Sequence, residues 1–370
     1  MNTDAADEIR REILKNGPIT LARFMEIALY APGLGYYETP REIGWHGDFY
    51  TSVSVGRCFG ELLAFQFARW ISGFARPVIV EAGAHDGRLA ADILGWIERF
   101  EPGLFERVQY ILVEPSAARR AWQEKTLASW GSRLRRVDDV AKLPPRSLEG
   151  VFVSNEFLDA VPMHRIAWDA SEKQWREWRV GVAGEKFAWE LGELSAEAAN
   201  AAPSIPAELA TVLPERFTME VAPSATAWWK CAAERLAAGK LLTIDYGYTR
   251  DEWLRPQNQN GTLRGYVGHR LADNPLANPG RQDLTAHIDF TGLRETGEAA
   301  GLRTDGLVSQ AKFLTDIFAQ TQAGQGTFGE WTPERVRQFQ TLTHPEHLGR
   351  AFRVLIQSRV TETSDPRPKY

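Results

Sequence analysis

The chain has 370 residues, with 43 Lys+Arg against 48 Asp+Glu and a formal net charge of −5. That mild acidity argues against nucleic acid as the main partner, because phosphate binding needs a clustered positive surface. A composition that is 44% hydrophobic and 25% charged is ordinary for a globular chain and excludes disorder over most of it.

At roughly 150 residues per domain, the length suggests about two to three domains. Cys58 and Cys231 stand far apart with no companion ligands at metal spacing, so neither a metal site nor a disulfide framework is expected. No apolar run reaches the roughly 18 residues that a membrane helix needs. Residues 1–11 are acidic and polar, with neither the apolar stretch of a signal peptide nor the Arg/Ser bias of a transit peptide. The expected address is therefore the cytoplasm.

Residues 5–15 read as a polar helix broken at Gly17-Pro18. Leu21, Phe24, Met25, Ala28 and Leu29 then recur at helical spacing. Tyr30 to Tyr37 and Gly47 to Ser52 are loops, and Phe59 to Ile71 is an amphipathic helix. From Pro77 the pattern becomes strand, helix, strand. Val78-Ile79-Val80 ends at Glu81, a helix spans Leu89 to Phe100, and 108–113 ends at Glu114. A helix then starts at Ser116, and 151–154 ends at Asn155-Glu156. Short, continuous apolar runs alternating with helices predict a buried parallel sheet in an α/β fold. Trp168, Trp175, Trp178, Val180 and Val182 suggest a hairpin, and the Ala/Pro-rich 195–207 a mobile connection. A helix at 224–238, a strand at 240–244 and a long Asn/Gly/Pro-rich stretch at 249–285, with one strand at 262–267, come next. Helices at 290–300, 310–319 and 332–343, strands at 302–308 and 351–358, and a frayed tail at 361–370 complete the reading.

Glu81-x-Gly83-x-x-x-Gly87 joins a strand to a helix. Glycines there let the backbone approach a ligand, and the helix start offers free N–H groups. Glu114 ends the next strand, where a carboxylate suits the hydroxyls of a ribose. A dinucleotide loop would carry G-x-G-x-x-G under a pyrophosphate. Here His85-Asp86 stands in the loop, and an acidic side chain repels a pyrophosphate but tolerates the amino group and sulfonium of S-adenosylmethionine.

Several longer motifs then carry a resemblance. They are Gly17-Pro18-Ile19-Thr20 through Phe24-Met25, Ala28-Leu29-Tyr30, Pro32 and Gly35-Tyr36-Tyr37; Gly47-Asp48-Phe49-x-Thr51-Ser52; and Asn155-Glu156-Phe157-Leu158-Asp159-Ala160-Val161-Pro162. Downstream follow Asp245-Tyr246-Gly247, Gly261-Thr262-Leu263-Arg264 and Asp283 to Phe290. In this order, from about 17 to 358, the chain resembles the MidA family of class I S-adenosylmethionine-dependent methyltransferases, which includes a protein arginine methyltransferase that serves in respiratory-complex assembly. One position departs: His85 stands where that family commonly has a third glycine.

The resemblance implies a Rossmann-like class I fold, a seven-stranded, mostly parallel sheet with an antiparallel last strand. A helical N-terminal cover at 1–75, a core at 76–360 and inserts at about 166–213 and 249–285 would decorate it. It implies S-adenosylmethionine as cofactor, held by Glu81, Gly83, Gly87, Glu114 and Asn155, with Asp48, Thr51 and Ser52 closing over it. The alternative role for Asp48, Thr51 and Ser52 is turn capping. A protein acceptor, such as a respiratory-complex subunit, and a homodimer are in keeping with it. Glu156 and Asp159 form the expected receptor for an arginine guanidinium. His287 is expected to shape the acceptor site or act as a base, and His164 and His269 are the further histidine candidates. A small-molecule O- or N-methyltransferase and a non-catalytic assembly protein that keeps the fold are the alternatives.

Overall fold

The computed structural model describes residues 4–39, 51–268, 270–323 and 327–360. The expected tail at 361–370 lies outside them. The chain forms two compact units. Of the described residues, one gathers 51–157, 228–245, 293–323 and 327–360, and the other 4–39, 158–227, 246–268 and 270–292.

The first unit is built on seven strands: β1 (Val78–Ala82), β2 (Gln109–Val113), β3 (Leu134–Val137), β4 (Leu148–Asn155), β5 (Leu236–Tyr248), β6 (Arg303–Ser309) and β7 (Phe352–Arg359). Their order across the sheet is β6-β7-β5-β4-β1-β2-β3. The β1–β2, β2–β3, β1–β4 and β4–β5 pairs are parallel, whereas β7 runs antiparallel to β6. The expected class I sheet is therefore present. Its strand order reverses between β1 and β4, and the crevice at such a reversal is where open α/β sheets take ligands.

The apolar runs work as continuous runs should. Every residue of β1 is buried, as are Val151 to Asn155 of β4. Helices α1 (Cys58–Ile71), α2 (Arg88–Phe100), α3 (Ala117–Thr126) and α4 (Gln310–Gln322) belong to this unit. Phe59, Leu62, Leu63 and Phe67 of α1 are fully buried, each burial stabilising by about 1.5–3 kcal/mol. Two glycines let the central strands meet. A Cβ at Gly150 would lie 1.8 Å from the Val78 carbonyl oxygen, and one at Gly239 would lie 1.9 Å from that of Gly150. Gly239 also carries φ +120°, next to the register shift that bends the start of β5. That bend is why β5 begins at Leu236, within the stretch expected to be helix; the helix itself stops at Arg235.

The second unit holds a five-stranded sheet in which Ile19–Thr20, Gln174–Ala183, His164–Asp169 and Thr218–Val221 lie in that order, and Lys186–Gly192 adds to Gln174–Ala183. The Trp hairpin is present, with Trp168 paired opposite Trp175 and their rings edge to face at 5.2 Å. The helices Ala5–Asn16 and Leu21–Tyr30 bury Ile9, Phe24, Met25 and Leu29 in one core with Val180 and Phe187. Arg264–Val267 runs between Arg270–Leu271 and Asp283–Thr285 in a small sheet. Past Asp245, Gly247 and Tyr248 of β5 pair with Ile288 and Asp289.

Two details differ from the sequence reading. The stretch 195–207 contains a helix, Ala196–Ala201, whose first turn is capped by the Ser195 hydroxyl accepting from Ala198 N–H. The N-terminal region also divides: residues 4–39 go with the second unit, while α1, buried on nearly every side, packs with the parallel sheet.

Candidate functional site

The loop after β1 takes three left-handed residues: Gly83 (φ +77°), His85 (φ +46°) and Gly87 (φ +89°). A Cβ at Gly83 would lie 2.8 Å from that of Phe157, so close approach as well as backbone angle demands glycine. Gly87 caps α2 from the left-handed region. His85 adopts the same kind of conformation with a full side chain, and its ring meets that of Trp122 at 5.6 Å. Burial opposes the charge of Asp86, but the neighbouring His85 ring and the Arg88 guanidinium 2.8 Å away hold its pKa below the usual range.

Glu81 is 2% exposed, and Tyr110 Oη donates to its Oε2 at 2.6 Å. Burial pushes its pKa up to about 7, against the opposing pull of the Tyr110 hydrogen bond. Glu114, at the end of β2, is equally buried. Its Oε1 accepts from Ser116 N–H at 2.9 Å and Arg119 Nε at 2.8 Å, and its Oε2 from Gln123 Nε2 at 3.3 Å.

At the end of β4, Asn155 Nδ2 donates to Glu156 Oε1 at 3.0 Å. A carboxylate only accepts, so the NH₂ end of the amide must face it. Asn155 Oδ1 is then buried without a hydrogen-bond partner among the described residues. Glu156 stands at φ +49°, and its Oε1 also takes the Ser52 N–H at 3.0 Å. The Ser52 hydroxyl is fully buried against Gln310 Oε1 at 3.0 Å. Thr51 exchanges hydrogen bonds with Ser54 in a tight turn. Asp245 ends its part of β5 fully buried and takes Phe157 N–H at 3.3 Å. The structure thus gathers Ser52, Asn155 and Glu156, and separately ties Glu114 to the glycine loop. Asp48 and His269 lie outside the described residues.

Asp159 and His287 belong to the other unit. Asp159 is 4% exposed in a 3₁₀ turn, and its carbonyl accepts Ala286 N–H at 3.0 Å. Nearby, Tyr37 Oη donates to buried Asp283 Oδ1 at 2.6 Å and its ring stacks on Tyr30. Burial raises the Tyr37 pKa well above the usual tyrosine value, and the charges of Asp283 and Asp159 add to it. The His287 ring stacks on Tyr248 at 4.4 Å, and the His287 backbone N–H donates to Thr262 Oγ1 at 3.0 Å. His164 lies elsewhere in this unit, at 2.7 Å from buried Glu177, and so is part of the sheet's packing.

Comparisons with known proteins give the chain's family. The family described as "Putative S-adenosyl-L-methionine-dependent methyltransferase" matches residues 62–308, more than half of the chain. The chain is 33% identical over 336 residues to "Protein arginine methyltransferase NDUFAF7, mitochondrial" of Mus musculus, covering 83% of this chain and 72% of that protein. It is 27% identical to the Drosophila melanogaster homologue, over 95% of this chain and 84% of that one. A crystal structure from Burkholderia thailandensis bound to S-adenosyl-homocysteine superposes with a TM-score of 0.80 at 31% identity, covering 96% of this chain and 92% of that one. The curated relatives are named mitochondrial, which overturns the cytoplasmic address expected from the polar N-terminus. No helix of the described residues is long and apolar enough to cross a membrane. The resemblance read from the motifs stands: the chain belongs to the family of S-adenosylmethionine-dependent methyltransferases, on the Rossmann-like class I fold.

Proposed function

We propose that the chain methylates the guanidinium of a protein arginine. Glu156 carries this reading. It is a carboxylate at the switch point of the sheet, oriented by Ser52 N–H and Asn155 Nδ2 on a left-handed backbone. A guanidinium is planar, always charged and rich in forked donors, and a carboxylate is its natural receptor. The names of the mouse and fly relatives agree with an arginine acceptor.

The residues present fit the cofactor. S-adenosylmethionine brings an ammonium and ribose hydroxyls, all donors, and buried Asn155 Oδ1 wants a donor. When bound, it supplies an electrophilic methyl carbon on a sulfonium. Glu114, fixed by Ser116 and Arg119, is the proposed acceptor of the ribose hydroxyls. Gly83 and Gly87 keep the loop backbone open to the ligand, Glu81 supports the loop from β1, and Thr51 and Ser52 flank the ligand. Glu156 holds the guanidinium and directs one nitrogen for in-line attack, so positioning supplies much of the acceleration.

Glu156→Gln tests the assignment. The amide oxygen still accepts from Ser52 N–H, but the charge is gone. S-adenosylhomocysteine should bind as in the wild type, and methyl transfer to host-lysate protein should fall by about a hundredfold or more. Unchanged transfer rejects Glu156 as receptor.

A further inference from the structure

The loop between β1 and α2 holds His85 in a conformation that favours glycine. Something must keep it there, and Gln123 of α3 is placed to do so. Its Nε2 donates to the His85 carbonyl oxygen at 3.1 Å and to Glu114 Oε2 at 3.3 Å. One amide therefore joins the strained loop to the carboxylate at the end of β2. The neighbouring Trp122 lays its ring against that of His85. The end of α3 also presses on the loop from the other side of Gly87, where a Cβ would meet Leu127 Cδ1 at 3.0 Å.

The other end of the same amide shows that this is not simply good packing. Gln123 is fully buried, yet its Oε1 has no hydrogen-bond partner among the described residues. The two acceptors facing Nε2 fix which end is which, since a flipped amide would set oxygen against oxygen. An orphaned buried carbonyl destabilises the fold, and an apolar side chain of similar volume would avoid that penalty. Glutamine at this position is explained by what its N–H end holds.

We propose that Gln123 is a positioning residue of the cofactor site, locking the His85 loop in register with Glu114 before the ligand arrives. Gln123 needs no contact with the ligand. The proposal rests on the reading of Glu114 and the 83–87 loop as the cofactor's seat.

The test is calorimetric titration of the full chain with S-adenosylhomocysteine, beside thermal melting of the ligand-free protein. Gln123→Leu should weaken binding by about tenfold or more; because it also strips the His85 carbonyl and buried Glu114 Oε2 of this donor, the ligand-free melting temperature should fall modestly, and affinity is read on the folded variant. In the Gln123→Leu background, His85→Gly should recover part of the lost affinity, because glycine takes φ +46° untethered. With turnover measured, Gln123→Leu should raise KM for S-adenosylmethionine more than it lowers kcat. Gln123→Met, with an unbranched chain, is read in the same way if the leucine variant does not fold. Affinity within twofold of wild type in the folded variant overturns the proposal, as does a double variant no better than the single one. Absence of binding by the wild type itself overturns the cofactor reading instead.

Discussion

Ser52 N–H reaches Glu156 Oε1 at 3.0 Å across 104 positions of sequence, so the segment before α1 holds the carboxylate at the end of β4. The bond uses the backbone of Ser52, and its hydroxyl goes to Gln310 instead. Two substitutions separate these roles. Ser52→Ala removes only the buried hydroxyl bond, costing about 1 kcal/mol of stability with methyl transfer retained. Ser52→Pro suits the local φ of −57° but deletes the N–H, so transfer should fall about tenfold or more. Equal transfer rates in the two variants contradict the positioning of Glu156 by this bond.

Gly83 should not tolerate a side chain. Alanine there meets Phe157 and must take φ +77°, and the expected loss is about 1–3 kcal/mol. Gly184→Ala is the control, because that site has a similar φ of +64° and open space around it. Chemical denaturation should rank Gly83→Ala clearly below Gly184→Ala. Equal stabilities contradict the close approach of Phe157.

Glu81 should make stability depend on pH. Its carboxyl is raised in the folded chain from the ordinary 4.5 to about 7 by burial, so between those values the folded state keeps a proton that the unfolded state has released. The stabilisation is complete below 4.5 and is lost as pH rises through about 7. Melting temperatures of the wild type and Glu81→Gln, compared from about pH 5 to about pH 8, should converge or cross as pH rises, to the disadvantage of the wild type. A difference that does not change with pH contradicts the raised carboxyl.

His164 and Glu177 should behave as a structural pair. His164→Ala leaves Glu177 buried without that partner and should destabilise by about 3 kcal/mol. Cofactor affinity in the folded variant should stay within twofold of the wild type. A large loss of affinity with little loss of stability contradicts this assignment.

The legible parts of the fold were those whose burial leaves a simple pattern. β1, β2 and β4 are continuous apolar runs because both faces are covered, and each ends at the acidic or amide residue that the site reading used. β3 escaped notice because Leu134-Arg135-Arg136-Val137 is a sheet edge and carries charge. The helix at Ala196–Ala201 was hidden by the prolines around it, although Ser195 is an ordinary cap. Gln123 was invisible for a different reason: a polar residue on a helix looks like a solvated face, and its burial depends on the loop packed over it. Tyr37 and Asp283 meet across 246 positions, a pairing no local pattern announces, though both lie inside motifs that the sequence reading singled out.

Transfer of a methyl group to protein arginine can be measured in one experiment. The direct measurement is incubation of the full chain with methyl-labelled S-adenosylmethionine and host lysate, followed by mass spectrometry of the labelled species. Label should appear on the guanidinium nitrogen of an arginine in a discrete protein and be absent with Glu156→Gln. Label confined to a small molecule, or cofactor binding with no transfer at all, contradicts it.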